Sequence, residues 1–426
     1  MPSLQQPQEP RADAAPPRPI EDLGPRVPIY TEQFAADPHG TYREMRDRYG
    51  TLVPVEIWPG VPATLVIGYS TAVRILNDPE HFSADPRPWE KTMPANLPIM
   101  PMIEWRPNAL RSNGSEHARY RAATNDALGG VNLHSLHSIV ERAAIPLVNS
   151  FCTKGTADLL TQYIQPLTFT VFNEMIGCPP HIGQRVAEAS AALFEGVDTA
   201  TVNAMFGSAL IELTQSKRAQ PADDITTRLV QHPAELTDEE MVHQLVTIYS
   251  ASSEGPQNLI ANSLLLILSD SRFRSDDLGF VPATSAALDE TLTTDPPMAN
   301  YCITYPRHPI LVDNVWLPAN QPVFTSMAAC SSSPEINTGD FNRNGWNLAW
   351  GAGPHACPAH ARSAAYAIAQ NAIDQLLDLL PEIALAMPAN ELIWRPGPFH
   401  RALAALPVVF PPTPPLQIGE RIAPMR

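Results

Sequence analysis

Positive charge is scarce in this sequence: 28 lysines and arginines stand against 44 aspartates and glutamates in 426 residues, a formal net charge of −16. A surface so short of cations is unsuited to nucleic-acid phosphates or to an anionic membrane face. Cysteine is sparse as well. The five cysteines, 152, 178, 302, 330 and 357, are odd in number and form no C-x-x-C pair, which argues against a disulfide framework and a zinc ribbon and points to a reducing, cytoplasmic setting. Long apolar runs are missing: 264–268, among the longest, falls far below the roughly 20 residues a bilayer span needs, and the first ten residues hold no signal-peptide stretch. Glycine, at 21 residues, lies below its usual share of about 7%, whereas the 46 prolines are about twice theirs. Turns are therefore made mainly by proline. What is abundant is apolar material, 44% of the chain, enough to exclude global disorder and to fill two or three domains of about 150 residues or one large one.

Eight prolines between Pro2 and Pro28, with no apolar periodicity, predict a disordered arm over residues 1–30. A helix follows through Tyr42, Met45 and Tyr49. Two β-branched runs at 53–57 and 63–68, joined by Pro59-Gly60, predict a hairpin, and Ser70 is placed to cap a short helix through Val73 and Leu76. The stretch 78–113 has little periodicity yet carries Trp89, Met93, Leu97, Ile99, Met100, Met102 and Trp105, too apolar for a linker. Helices dominate from 116 to about 236. Thr237 and Glu240 then form a capping box that opens a long helix through Leu245, Ile248, Leu259 and Leu268. Gly255-Pro256 falls in its middle, where proline removes an N–H and crowds the Ser252 carbonyl, so a kink is expected. After Pro297 come short extended pieces, a glycine-punctuated loop to Cys357, and a last long helix over 359–380.

The strongest chemical feature is Trp350-Gly351-Ala-Gly353-Pro-His355-Ala-Cys357-Pro-Ala359. A cysteine at the mouth of a helix meets the positive end of the helix dipole, which favours a thiolate and metal binding. The run resembles the haem-binding signature of the cytochrome P450 family. That resemblance implies that Cys357 is the axial thiolate of a haem b iron, that Gly351 and Gly353 let the backbone turn beneath the porphyrin, and that His355 reaches a propionate. Trp350 stands where phenylalanine is usual. Pro358 falls at the first helical position, where its missing N–H costs little.

Three further stretches are similar to the family. Glu116-His117-Ala-Arg-Tyr-Arg121 sets His117 and Arg121 one helical turn apart, and in the family such a pair holds haem propionates. The segment 251–262 resembles the helix that crosses the haem, with Asn258 and Asn262 fixing its register; Glu254 keeps the family's acid, but Gly255 replaces the alcohol that helps deliver protons to dioxygen. Pro256 frees the Ser252 carbonyl to hold a water or a substrate group. The segment 287–297 resembles the Glu-x-x-Arg helix with Glu290 in place, yet Thr293 occupies the arginine position, leaving Arg343 as the partner expected for Glu290. The propionate-binding arginine expected in the following strand falls on Thr304, with Arg307 nearest.

These matches run from about residue 38 to 411, ending in a hairpin over 399–407 whose tip points into the substrate pocket of family members. The resemblance implies a mainly α fold with small β-sheets, one haem-binding domain over 31–415 and a tail over 416–426, in an atypical bacterial subgroup lacking the helix arginine and the alcohol. It implies a monooxygenase acting on a small hydrophobic substrate, closed in by the 89–105 stretch. Electrons would come from a separate ferredoxin and ferredoxin reductase docking near His360 and Arg362. Two alternatives stay open: an enzyme that uses peroxide or performs a rearrangement or coupling, and a non-catalytic haem sensor or interaction protein.

Overall fold

The computed structural model describes residues 16–94, 97–194, 199–273, 283–336 and 347–416. Leu52–Trp58 and Val61–Val66 pair antiparallel, Val55 opposite Ala63, around the expected turn, where Gly60 takes φ +76°. They belong to a six-stranded sheet in the order Val27–Pro28, Leu52–Trp58, Val61–Val66, Val323–Ser326, Asn300–Pro306, Phe82–Ser83. Two three-stranded sheets complete the β-structure: Arg18–Pro19 with Val315–Leu317 and Ile310–Val312, and Ala384–Leu385 with Pro407–Val409 and Thr156–Asp158.

The order of residues 16–30 corrects that part of the expected arm, and residues 1–15 lie outside the described residues. Arg18–Pro19 and Val27–Pro28 are edge strands, and Ile20 between them is fully buried. Proline is admissible at a sheet edge because the missing N–H is not needed there. Ser70 is also no cap. Gly68 occupies that position, and the Ser70 hydroxyl donates to Glu335 at 2.6 Å.

The capping box at Thr237 and Glu240 forms as expected, each side chain accepting from the other's N–H at 3.3 and 2.9 Å. The helix it opens, Asp238–Ser269, runs unbroken through Pro256. Leu259, Ile260 and Leu264 of this helix share one core with Ile368, Ile373 and Leu376 of Ala359–Leu379. At 32 residues it spans about 48 Å. The apolar stretch 78–113 is anchored rather than loose: Trp89, Ile99, Met100 and Ile103 are buried with Phe399 and with Tyr305 and Phe324 of the six-stranded sheet. Among the described residues no helix is long and apolar enough to cross a membrane.

Candidate functional site

The loop before the last long helix is held by its own backbone. The Cys357 N–H donates to the Trp350 carbonyl at 2.8 Å, and the Gly351 N–H to that of Leu348 at 2.8 Å. Both glycines are conformationally required. Gly353 takes φ +70°, and a Cβ there would lie 1.9 Å from the Leu76 carbonyl oxygen; Gly351 takes φ +68°, its would-be Cβ 3.1 Å from Cys302 Sγ. Pro358 is the residue before the helix rather than its first, and Cys357 sits two residues before Ala359. The half-buried Cys357 is a free thiol. Burial pushes this thiol up to about 11, although Arg121 and Arg362 pull it down. The expected effect of the helix end is thus outweighed by desolvation.

Behind this loop lies a set of nitrogen donors. His117 and Arg121 project from Gly114–Gly129, and the His117 ring meets that of His355 with centroids 4.1 Å apart and planes tilted by 42°. Burial, and then its cationic neighbours, hold both imidazoles below their ordinary value, His355 down to about 4. Arg121 donates to the Ala356 carbonyl, and His117 Nε2 is buried without a partner. Sequence reasoning missed a further member, Arg111. It is 3% exposed and donates to the Met102 carbonyl at 2.8 Å and to Tyr301 Oη at 2.9 Å. No periodicity marks a lone buried arginine in a loop. Arg307, by contrast, is exposed and reaches the Pro79 carbonyl at 3.5 Å, so it does not supply the strand cation. Thr304 lies in Asn300–Pro306 opposite Val323, its hydroxyl buried without a partner.

On the long helix, the Ser252 and Ser253 hydroxyls turn back to the Tyr249 carbonyl at 3.2 and 2.8 Å. Glu254 pairs with Arg395 at 2.8 Å, a tie the sequence reading did not include. A Cβ at Gly255 would meet nothing within 4 Å, so the position faces open space, while Pro256 is buried. Asn262 ties the helix to the C-terminal segment, donating to the carbonyls of Asp295 and Arg401 at 3.2 and 3.0 Å. Glu290 pairs with Arg272 at 2.6 Å, and the Thr293 hydroxyl caps its own helix at the Asp289 carbonyl. Arg343 lies outside the described residues.

A cleft of about 580 Å³ opens on the cysteine side, lined by Arg121, Asp126, Gly129, Cys357 and His360 among others. Near the N-terminal half of the long helix, Trp105 Nε1, Arg106 Nη1, Asn203 Oδ1 and His243 Nδ1 are buried without partners. No cluster of three or more His, Cys, Asp or Glu able to hold a bare metal ion exists among the described residues. One thiol, partnerless donors and buried guanidinium groups instead fit an iron macrocycle that brings its own four nitrogens and carries carboxylates.

No protein-family model matches the chain. Among curated proteins it is 30% identical over 408 residues to the cytochrome P450 monooxygenase PikC of Streptomyces venezuelae, covering 92% of this chain and 94% of that protein. It is 25% identical to the vitamin D(3) 25-hydroxylase of Pseudonocardia autotrophica, over 90% of this chain and 96% of that one. Among solved structures, CYP154C4 from Streptomyces sp. W2061 superimposes with a TM-score of 0.82 at 24% identity, over 91% of this chain and 98% of that one.

Proposed function

The chain belongs to the cytochrome P450 family as a bacterial monooxygenase of small molecules, and from that premise we propose that Cys357 is the thiolate ligand of a haem b. The observation that carries the reading is the Cys357 loop, with two left-handed glycines, set against His117, Arg121 and His355. These three, with Trp350, Gly351 and Gly353, form the cofactor-binding surface. The haem, when bound, supplies the activation of dioxygen that lets one oxygen atom enter a substrate C–H bond.

The remaining work falls to the chain. Glu254 holds a proton-accepting carboxylate beside the open space at Gly255, where a water fits in place of the absent hydroxyl, and the Ser252 carbonyl freed by Pro256 accepts from that water. These are atypical oxygen-activation residues. The substrate is a hydrophobic molecule of secondary-metabolite type, and the partnerless atoms of Trp105, Arg106, Asn203 and His243 provide hydrogen bonds for its oxygen functions. Exposed His360 and Arg362 beside the cleft offer a docking face for a ferredoxin served by its reductase, in the cytoplasm. Residues 31–415, together with the ordered strands before them, act as one haem-binding domain.

The deciding measurement is the reduced, carbon monoxide-bound spectrum of the purified protein. A thiolate-type Soret band that vanishes in Cys357→Ser supports the assignment, and a histidine-type or neutral-thiol band, or no haem, overturns it. The missing hydroxyl at Gly255 and the pairing of Glu254 favour one second reading, a peroxide-using enzyme. NADPH-coupled product formation with a ferredoxin decides against it, and peroxide-only turnover decides for it.

A further inference from the structure

A guanidinium group is fully charged at any relevant pH, and burying it without an anion costs several kcal/mol, so a buried arginine is accompanied by a carboxylate or waits for one. Buried Arg106 and half-buried Arg401 obey this rule. Arg106 pairs with Glu104 at 2.9 Å and Arg401 with Asp295 at 3.0 Å. Arg111 does not. It is more deeply buried than either partner of the Arg106 pair, yet its acceptors are the Met102 carbonyl and the phenol of Tyr301, both neutral. Among the described residues no carboxylate forms an ion pair with it. The two acids nearest by charge are engaged elsewhere, Glu104 with Arg106 and Glu90 with the Trp105 N–H.

Two contacts fix where this unpaired charge lies. Ala109, two residues before Arg111, makes a backbone hydrogen bond with His355, which locks the Arg111 loop onto the donor set of His355, His117 and Arg121. Tyr301, which holds the Arg111 guanidinium, lies in the strand Asn300–Pro306, three residues before Thr304. That strand is where an arginine was expected and threonine stands, with its hydroxyl buried and partnerless. The site therefore lacks a cation on the strand and holds a surplus one on the loop facing it.

We propose that Arg111 is the carboxylate-binding cation of the cofactor site, supplying from the loop before Gly114–Gly129 the charge that the Asn300–Pro306 strand lacks at Thr304. Tyr301 and the Met102 carbonyl aim its guanidinium, leaving further N–H groups of the fork for a haem propionate. The inference rests on the haem reading above.

The test compares wild type, Arg111→Gln and the double variant Arg111→Gln/Thr304→Arg as purified holoproteins. Haem loss is followed by transfer to apomyoglobin, and the propionate bending mode by resonance Raman. Arg111→Gln is expected to lose haem about tenfold faster, equivalent to about 1.4 kcal/mol, with a shifted propionate mode. Thr304→Arg in the same chain is expected to recover at least part of both. An unchanged loss rate and propionate mode in Arg111→Gln overturns the proposal. So does faster loss with an unmoved propionate mode, which marks a purely structural arginine. If Arg111→Gln does not fold, Arg111→Lys keeps the charge but not the planar fork, and the same two readouts apply. A wild-type protein that takes up no thiolate-ligated haem refutes the haem reading itself, a result distinct from a haem-loaded variant that behaves as wild type.

Discussion

Glu254, at the middle of the long helix, and Arg395, in the C-terminal segment, are joined by a 2.8 Å ion pair across 141 residues of chain. The pair sets the acid of the helix at a fixed position one residue from the open space at Gly255. A carboxylate held in this way can still exchange a proton with a water, because a guanidinium occupies only part of its four lone-pair positions.

Glu254→Gln keeps the shape and removes the proton acceptor. Product formed per NADPH consumed is expected to fall about a hundredfold or more, the range attributed to a positioned acid or base, with haem content and the carbon monoxide spectrum unchanged. Coupling equal to wild type would remove Glu254 from the proton path.

Gly255 invites two substitutions, since a Cβ there meets no neighbour. Gly255→Ala is expected to stabilise the fold by about 0.5–1 kcal/mol through the helix preference of alanine, while its methyl takes up part of the space assigned to the water and lowers coupling. Gly255→Thr restores a hydroxyl in the same space and is expected to raise coupling above the alanine variant. Chemical denaturation and the product-to-NADPH ratio check both, and a threonine variant no better coupled than alanine would show that the absent hydroxyl does not limit the reaction.

Gly353 and Gly351 differ in what surrounds them. Gly353→Ala forces a left-handed alanine, costing about 1–2 kcal/mol, and drives its methyl into the Leu76 carbonyl, which belongs to backbone and cannot swing aside. It is expected to be the more damaging change, losing thiolate-ligated haem outright. Gly351→Ala meets the Cys302 sulfur, which has a rotatable bond, and is expected to fold with weakened haem retention. Thermal midpoints and carbon monoxide spectra of the two variants give the order, and the reverse order would contradict the close approach at Leu76.

His243 makes stability depend on pH. Burial, and then the charge of Arg106, hold its imidazole down to about 4, against about 6.5 in an unfolded chain. Between these values the unfolded state binds the extra proton. The contribution is therefore fully present above about pH 6.5 and is lost as pH falls toward 4. The thermal midpoint of His243→Asn should fall less steeply than that of wild type over this window, and parallel curves would show that His243 does not titrate in this way.

The elements that could be read from the chain are those whose cause is local. The capping box at Thr237 and Glu240 depends on two side chains three residues apart, the 52–66 hairpin on alternating β-branched residues around Pro59-Gly60, and the Cys357 loop on glycines spaced for left-handed turns. The capping box and the hairpin reappear in the structure with the expected partners, and both loop glycines take positive φ. His117 and His355 were each singled out from their own motifs, and their 4.1 Å ring contact joins two stretches that the sequence presents more than 200 residues apart.

What the chain did not disclose depends on distant partners. The N-terminal prolines resembled a disordered arm because a parallel edge strand requires nothing of its own sequence except a neighbour, here Leu52–Trp58 and Val315–Leu317. The pairing of Glu254 with Arg395 and of Glu290 with Arg272 follows from where the backbone brings long, flexible side chains together. Arg111 carried no signal at all, since what distinguishes it is being buried with only neutral hydrogen-bond acceptors. Local spacing along the sequence determined the glycine-bearing Cys357 loop and the long helix beside it; tertiary packing alone decided which charges meet, because burial and ion pairing depend on distances in space that sequence separation does not encode.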